Sequence, residues 1–173
     1  MSRSIKPLKL SGVIGDVLDL FTPTIKMNVL YERNIEVNNG FELLPSTLVS
    51  PPQVDVLDGN QRTYFTLIMT DPDAPSPSDP VGREYLHWIV TDIPGTLSNS
   101  SGREIVSYEN PRPMVGIHRY VLALFEQNGK GTVDPPPSRH HFNTREFADS
   151  NELGLPVAAV YFNAQRETAA RRR

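Results

Sequence analysis

The chain has no cysteine, which excludes disulfides and thiolate metal sites. It has no apolar run near eighteen residues and no signal-peptide core, so neither a membrane span nor export is indicated. An intracellular soluble protein is the default expectation. A large excess of charge is missing as well: 17 Lys and Arg face 20 Asp and Glu, a net charge of −3. That balance argues against DNA binding by the whole surface, and no direct nucleic-acid contact is expected. There is no internal repeat and no clear domain boundary. What the chain does have is proline, sixteen of them beside eleven glycines, which favours many turns over long helices. A length of 173 residues suits one domain with a real core. It is read as a single domain over 1–173, with 1–11 a surface arm and 164–173 a basic tail.

Strand-like periodicity dominates. Ile25, Met27, Val29 and Tyr31 alternate with polar residues, and Val54 and Val56 alternate with Gln53 and Asp55 ahead of a hairpin signal at Asp58–Gly59. Residues 63–69 are apolar on both faces and read as a central strand. Residues 85–93, 104–108, 117–127 and 157–162 complete about eight strands. Gly12–Phe21 has the apolar spacing of one short amphipathic helix. Asn143 and Glu146 form a capping box for another, expected to end near Gly154. The expected class is mostly β, a sandwich or barrel-like sheet pair with a few short helices.

The stretch DPDAPSPSDP, residues 71–80, lies between two apolar runs and reads as a stiff acidic ledge. His87 and His118 each begin a strand beside a proline- or glycine-rich connection. Strand alternation puts His87 with Ile89 and Thr91, and His118 with Tyr120, Leu122 and Leu124, while Arg119 points away. Asp71 is placed to orient one imidazole and raise its pKa, which would make a receiver for phosphate or carboxylate. The plain alternative is two satisfied strand-end histidines that hold loops. A metal site of Asp71, Asp73, His87 and His118 is disfavoured, because the two carboxylates straddle a proline and no H-x-x-x-H pair exists. A hydrolase is disfavoured because Ser76 and Ser78 lie in no nucleophile-elbow context. No cofactor, no metal and no catalysis are expected.

Five stretches carry a resemblance: DPDAP at 71–75, REYLHW at 83–88, GIHRY at 116–120, FNTREFA at 142–148 and LGLPVAAVYFNAQRE at 153–167. Together they resemble the phosphatidylethanolamine-binding proteins, in the plant branch of Flowering Locus T and the Terminal Flower and Centroradialis repressors. The resemblance implies a large antiparallel β-sheet packed on a smaller sheet with short peripheral helices. It implies a pocket for phosphate or a phospholipid head group at Asp71, Asp73, Pro75, Tyr85, His87, Pro111, His118 and Tyr120. It also implies a 14-3-3 protein as partner, contacted through Arg62, Thr66, Pro94 and Lys130 on one exposed surface, and through it a bZIP transcription factor. The chain itself is expected to be a monomer. Florigen-type members have an aromatic residue at Ser101 and arginine at Lys130; lysine keeps the charge but loses the bidentate fork.

The markers of polarity conflict. Tyr85 resembles the activators. The loop residues Asp134, Ser138 and His140 do not, since activators carry tryptophan and glutamine at the last two positions. The start, the ledge and the tail FNAQRETA resemble the Brother-of-FT group on the repressor side. The expected function is therefore a non-enzymatic floral repressor acting as a transcriptional cofactor. The alternatives are a florigen-type activator, a phospholipid carrier, and a kinase or protease inhibitor.

Overall fold

The computed structural model describes residues 4–58, 62–95 and 101–168. Two antiparallel sheets face each other. The small one has the order β2-β1-β3, from β1 (Lys26–Tyr31), β2 (Ile35–Glu36) and β3 (Gln53–Leu57). The large one has the order β6-β5-β4-β7-β8, from β4 (Tyr64–Asp71), β5 (Tyr85–Pro94), β6 (Arg103–Val106), β7 (His118–Glu126) and β8 (Ala158–Ala164). This is the expected large sheet on a smaller one. The Asp58–Gly59 signal does not join a hairpin, however: β3 and β4 lie in different sheets, and Gly59 itself falls outside the described residues.

Alternation sorts β7 between two cores. Tyr120, Leu122 and Leu124 face the small sheet, where they meet Met27, Val29, Tyr31, Val54 and Val56. Val121, Ala123 and Phe125 face outward, under a layer of short helices and loops. With both faces covered, β4, β5 and β7 are buried along nearly their whole length, which is why their sequences are mostly apolar rather than alternating.

The outer layer departs from expectation at its start. Residues 1–11 are not simply an arm. Lys6–Leu10 forms a helical turn, α1, that buries Leu8. The helix expected over Gly12–Phe21 shrinks to Val13–Asp16, α2. Gly12 and Gly15 take φ of 81° and 116°, a region open to glycine that a helix cannot use. Val13, Val17, Leu18 and Phe21 are buried all the same, so the apolar spacing marked a packing face rather than a helix. The last helix, α3, runs over Thr144–Ser150. The Asn143 side chain accepts from the Glu146 backbone N–H at 3.0 Å, as a cap should. It stops four residues before Gly154. At the C-terminus, Gln165 bonds Glu42 and Glu167 bonds Ser46, with no helix over 165–168. Arg171–Arg173 lie outside the described residues.

Candidate functional site

The ledge is held from both ends. The Asp73 N–H donates to Asp71 Oδ1 at 2.7 Å, and the Gly82 N–H donates to the Ala74 carbonyl at 3.0 Å. The two aspartates then turn to opposite sides. Asp71 accepts from His118 Nδ1 at 2.7 Å and from the Tyr120 hydroxyl. Asp73 accepts two bonds from the Arg119 guanidinium, at 2.8 and 2.9 Å, and one from its backbone N–H at 2.8 Å.

A cavity of about 250 Å³ opens beside the ledge. Of the eight expected pocket residues, Asp71, Pro75, Tyr85, His87, His118 and Tyr120 line it. Asp73 and Pro111 do not. Asp73 is committed to Arg119, and Pro111 is buried at the base of its loop. Both support the wall from behind. Six residues not anticipated also line it, among them Glu109, Arg112 and Met114. The signal for Arg112 was an arginine set between Pro111 and Pro113, which a stiff loop must present outward. Its guanidinium is exposed and pairs with no carboxylate among the described residues.

The two histidines differ in state. Burial alone would pull His118 down, but the hydrogen bond and charge of Asp71, with the Val115 carbonyl, outweigh it and hold its pKa above the ordinary value. Its Nε2 meets that carbonyl at 2.8 Å. Both ring nitrogens face acceptors, so His118 is a charged support with no N–H left for a ligand. His87 goes the other way: burial depresses its pKa, against the pull of the Glu109 carbonyl and Asp71. Its Nδ1 is taken by that carbonyl, which leaves Nε2 as its remaining polar atom. Asp71 orients one imidazole, as expected, and that imidazole is His118.

His87 does not share a face with Ile89. The β4–β5 pairing runs Met69 to Trp88 and then Thr70 to Leu86, skipping His87. This bulge turns His87 edge-on to Tyr120, at 5.3 Å between ring centroids, while Ile89 joins the outer core. Simple alternation cannot foresee the extra residue. Tyr85 packs edge-on between His87 and His140, at 5.2 Å from each. Burial and a hydrogen bond to Glu109 raise its phenol pKa. The pocket mouth and the loop bearing Asp134, Ser138 and His140 are thus one continuous surface. Asp134 and the other two also line a groove of about 410 Å³ against α3.

At the far end of the large sheet, Arg62 and Lys130 are exposed and Pro94 is half-buried. Pro94 pairs with Tyr64, and Lys130 Nζ sits 5.8 Å above the Tyr64 ring. Thr66 corrects the expectation of a shared exposed surface, because it is fully buried. It lies on β4, between β5 and β7, and its hydroxyl donates to Gln127 Oε1 at 2.8 Å. The same oxygen accepts from the Asp92 N–H, and Gln127 Nε2 donates to Asp92 Oδ1, both at 2.8 Å. Asp92 Oδ1 in turn accepts from the Gly131 N–H, beside Lys130. Thr66 is linked to the Lys130 turn through Gln127, which donates to the Gly129 carbonyl at 2.9 Å, and through Asp92.

Comparison with known proteins agrees with this architecture. Residues 34–162 match the family described as phosphatidylethanolamine-binding protein. Among curated relatives, CEN-like protein 1 of Nicotiana tabacum is 58% identical over 99% of both chains. Protein TERMINAL FLOWER 1 of Arabidopsis thaliana is 58% identical over 99% of this chain and 97% of its own. Protein BROTHER of FT and TFL 1 of the same plant is 59% identical over 100% and 98%. Among solved structures, a carboxypeptidase Y inhibitor complexed with its cognate proteinase is similar with a TM-score of 0.84 at 25% identity, covering 94% of this chain and 95% of that one. A phosphatidylethanolamine-binding protein from Plasmodium vivax shares the fold, with a TM-score of 0.81 at 23% identity, covering 95% and 98%. The chain belongs to the phosphatidylethanolamine-binding protein family, in the branch that holds TERMINAL FLOWER 1, CENTRORADIALIS and BROTHER of FT and TFL 1.

Proposed function

We propose that this protein is a non-enzymatic repressor of flowering. It acts in the cytoplasm and nucleus as an adaptor that joins a 14-3-3 protein and, through it, a bZIP transcription factor. Full-length likeness to the TERMINAL FLOWER 1 type of protein supports the flowering role. The pocket serves as a receiver for a phosphate-bearing head group, with Arg112 as the cation at its mouth. Its polar groups suit binding better than turnover: Asp71 and His118 are spent on internal hydrogen bonds, and the Ser76 and Ser78 hydroxyls bond each other at 3.1 Å rather than a histidine.

The observation that carries the polarity is the contact between Tyr85 and His140. In sequence these two point in opposite directions, one activator-like and one not. In space they form one surface. The Tyr85 ring is packed between two histidines, with Glu109 on its hydroxyl, so a partner meets the loop at least as much as the tyrosine. That loop has no large aromatic anchor, and such anchors tend to dominate binding energy. At the position where activators carry tryptophan, the Ser138 hydroxyl accepts from the His140 N–H at 3.1 Å. Three prolines at 135–137 hold the loop stiff. A protein that docks on the adaptor without recruiting a coactivator competes with one that does both. Overexpression in a plant, beside a Ser138→Trp, His140→Gln version, tests the reading. The expected result is delayed flowering from the parent, lessened or reversed in the double variant. Early flowering from the unmodified protein would make Tyr85 the better guide and the protein an activator.

A further inference from the structure

Adjacent prolines occur twice in the chain, at 51–52 and 135–137. Pro52 is buried, whereas Pro135 and Pro137 are exposed and Pro136 is half-buried. Each proline fixes its own φ near about −65°, and each residue ahead of a proline is driven to extended or polyproline II backbone. The stretch 134–136 therefore has little choice of conformation. Its burial agrees. Val133 is buried and Pro136 and Arg139 are half-buried, while Asp134, Pro135, Pro137 and Ser138 are exposed. Every third residue faces the protein, which is the period of a polyproline II helix. The ridge is short, since the chain bends at Pro137.

Both ends of this ridge are fastened. Val133 is 2% exposed, and the Asp134 N–H donates to Asn151 Oδ1 at 2.9 Å. At the other end the Arg139 carbonyl accepts from the Leu86 N–H at 2.9 Å. The Arg139 guanidinium donates to the Leu86, His87 and Ser107 carbonyls. Between these anchors the backbone is open. Prolines carry no N–H, and the carbonyl oxygens of 134–138 accept no hydrogen bond from the described residues. The groove of about 410 Å³ between the ridge and α3 leaves the ridge standing clear on that side as well. A stiff segment with open carbonyls already has its bound shape, so association has little left to order.

We propose that the ridge from Asp134 to Ser138 is a ligand for a proline-recognition domain of the WW type. The stacked aromatic side chains of such a domain take the exposed proline rings, and its side-chain donors reach the open carbonyls. The loop has no aromatic side chain over 134–138, so the aromatic surface comes from the partner. An SH3 domain fits less well. The loop has no P-x-x-P spacing, and Arg139, the arginine beside it, is engaged inside the protein. The Asp134 carboxylate, exposed at the start of the ridge, suits a basic residue at the edge of the slot. The ridge offers itself to this partner whether the protein represses or activates flowering.

Calorimetric titration of the full-length protein with isolated WW domains of the Pro-Pro-x-Tyr, Pro-Pro-Leu-Pro and proline–arginine classes tests this, with an SH3 domain in parallel. Four proteins are compared: the parent, Pro135→Ala, the double variant Pro135→Ala, Pro137→Ala, and Val49→Ser as a remote exposed control. At least one WW class should bind the parent and the control equally, and the SH3 domain should bind neither. The double variant should lose binding about tenfold or more, the effect of removing an anchor. Pro135→Ala, the milder change, should weaken it in part with an unchanged melting temperature, which keeps the test apart from any loss of fold in the double variant. Docking on a 14-3-3 protein should be the same in all four, so failure here is distinct from failure of the adaptor role. The proposal is overturned if no WW class binds the parent, if the SH3 domain binds it as tightly, or if the proline variants bind as the parent does. Each of those results would make the prolines a stiffener of the loop and nothing more.

Discussion

Arg119→Ala should lower the unfolding free energy at neutral pH by about 3–5 kcal/mol, the cost of leaving a buried charge without its partner. The Arg119 side chain is 15% exposed and that of Asp73 is 4% exposed. The guanidinium also reaches Asp16 at 2.9 Å and donates to the Ser11 carbonyl at 2.7 Å, so it ties the N-terminal segment to the ledge. Without it, Asp73 keeps one backbone donor and the more distant Arg83 at 3.6 Å. Burial would raise the Asp73 carboxyl, yet the Arg119 bonds outweigh burial and hold its pKa below the ordinary value. A depressed carboxyl stabilises the fold above its unfolded pKa of about 3.9, and that stability is lost as pH falls through the folded pKa. In the variant burial dominates instead, so the deficit should shrink on acidification as Asp73 becomes neutral in both states. Urea unfolding at pH 7 and pH 4 measures both effects. A loss under about 1 kcal/mol, the range of a surface ion pair, or one indifferent to pH, would show that the network is not a support for the pocket.

Glu84→Gln should act in the opposite direction at alkaline pH. Glu84 is buried next to Tyr85 and accepts from the Thr144 N–H at 3.1 Å and the Thr144 hydroxyl at 2.5 Å. Its backbone exchanges two hydrogen bonds with Phe142. Burial nevertheless outweighs these bonds and raises its pKa to about 7. The folded state thus holds the proton more tightly than the unfolded chain. The stability this brings is complete below the unfolded pKa of about 4.3 and is lost as pH rises through 7. At 1.36 kcal/mol per pKa unit, the swing is about 4 kcal/mol. Glutamine does not titrate, so the variant should lose this slope between about pH 4 and 7. At pH 8 it should be up to about 4 kcal/mol more stable than the parent, less whatever the altered Thr144 bonds cost. A variant less stable than the parent at pH 8 would mean that the ionised carboxylate is well served by its Thr144 cap, and that burial is a smaller force there than its depth implies.

Much of the fold could be read from alternation. The period-two runs in β1 and β3 and the unbroken apolar runs in β4 and β7 became buried strands, because burial on one face or both writes itself directly into residue type. Where the chain leaves regular periodicity, that reading failed. Gly12 and Gly15 break a helix whose apolar spacing is otherwise sound. The bulge at His87 moves it onto the face of Trp88. Thr66, put on an exposed surface only by the family resemblance, is a buried hydrogen-bond donor, as its place in a central strand implied, with Gln127 there to receive it. In the site, the pairing of Asp71 with a histidine was foreseeable from the ledge, but the choice of His118 over His87 was not, because it depends on which ring the Asp71 side chain reaches. Arg112 and Glu84 were visible as charged residues beside prolines and strand starts. Their roles depend on neighbours remote in sequence, which residue types alone do not reveal.

Docking on a 14-3-3 protein is the step on which the adaptor role depends, and calorimetry measures it directly. The full-length protein is titrated into a 14-3-3 protein loaded with a phosphorylated bZIP C-terminal peptide. Binding is expected at tens of micromolar or tighter, about 6 kcal/mol or more. It should weaken with salt, since Arg62 and Lys130 are exposed cations facing an acidic partner. Arg62→Ala should cost about 1–3 kcal/mol of that binding, and Lys130→Arg should tighten it by restoring a fork. No binding at these concentrations, with the fold intact, would contradict the adaptor role and leave the pocket ligand as the function.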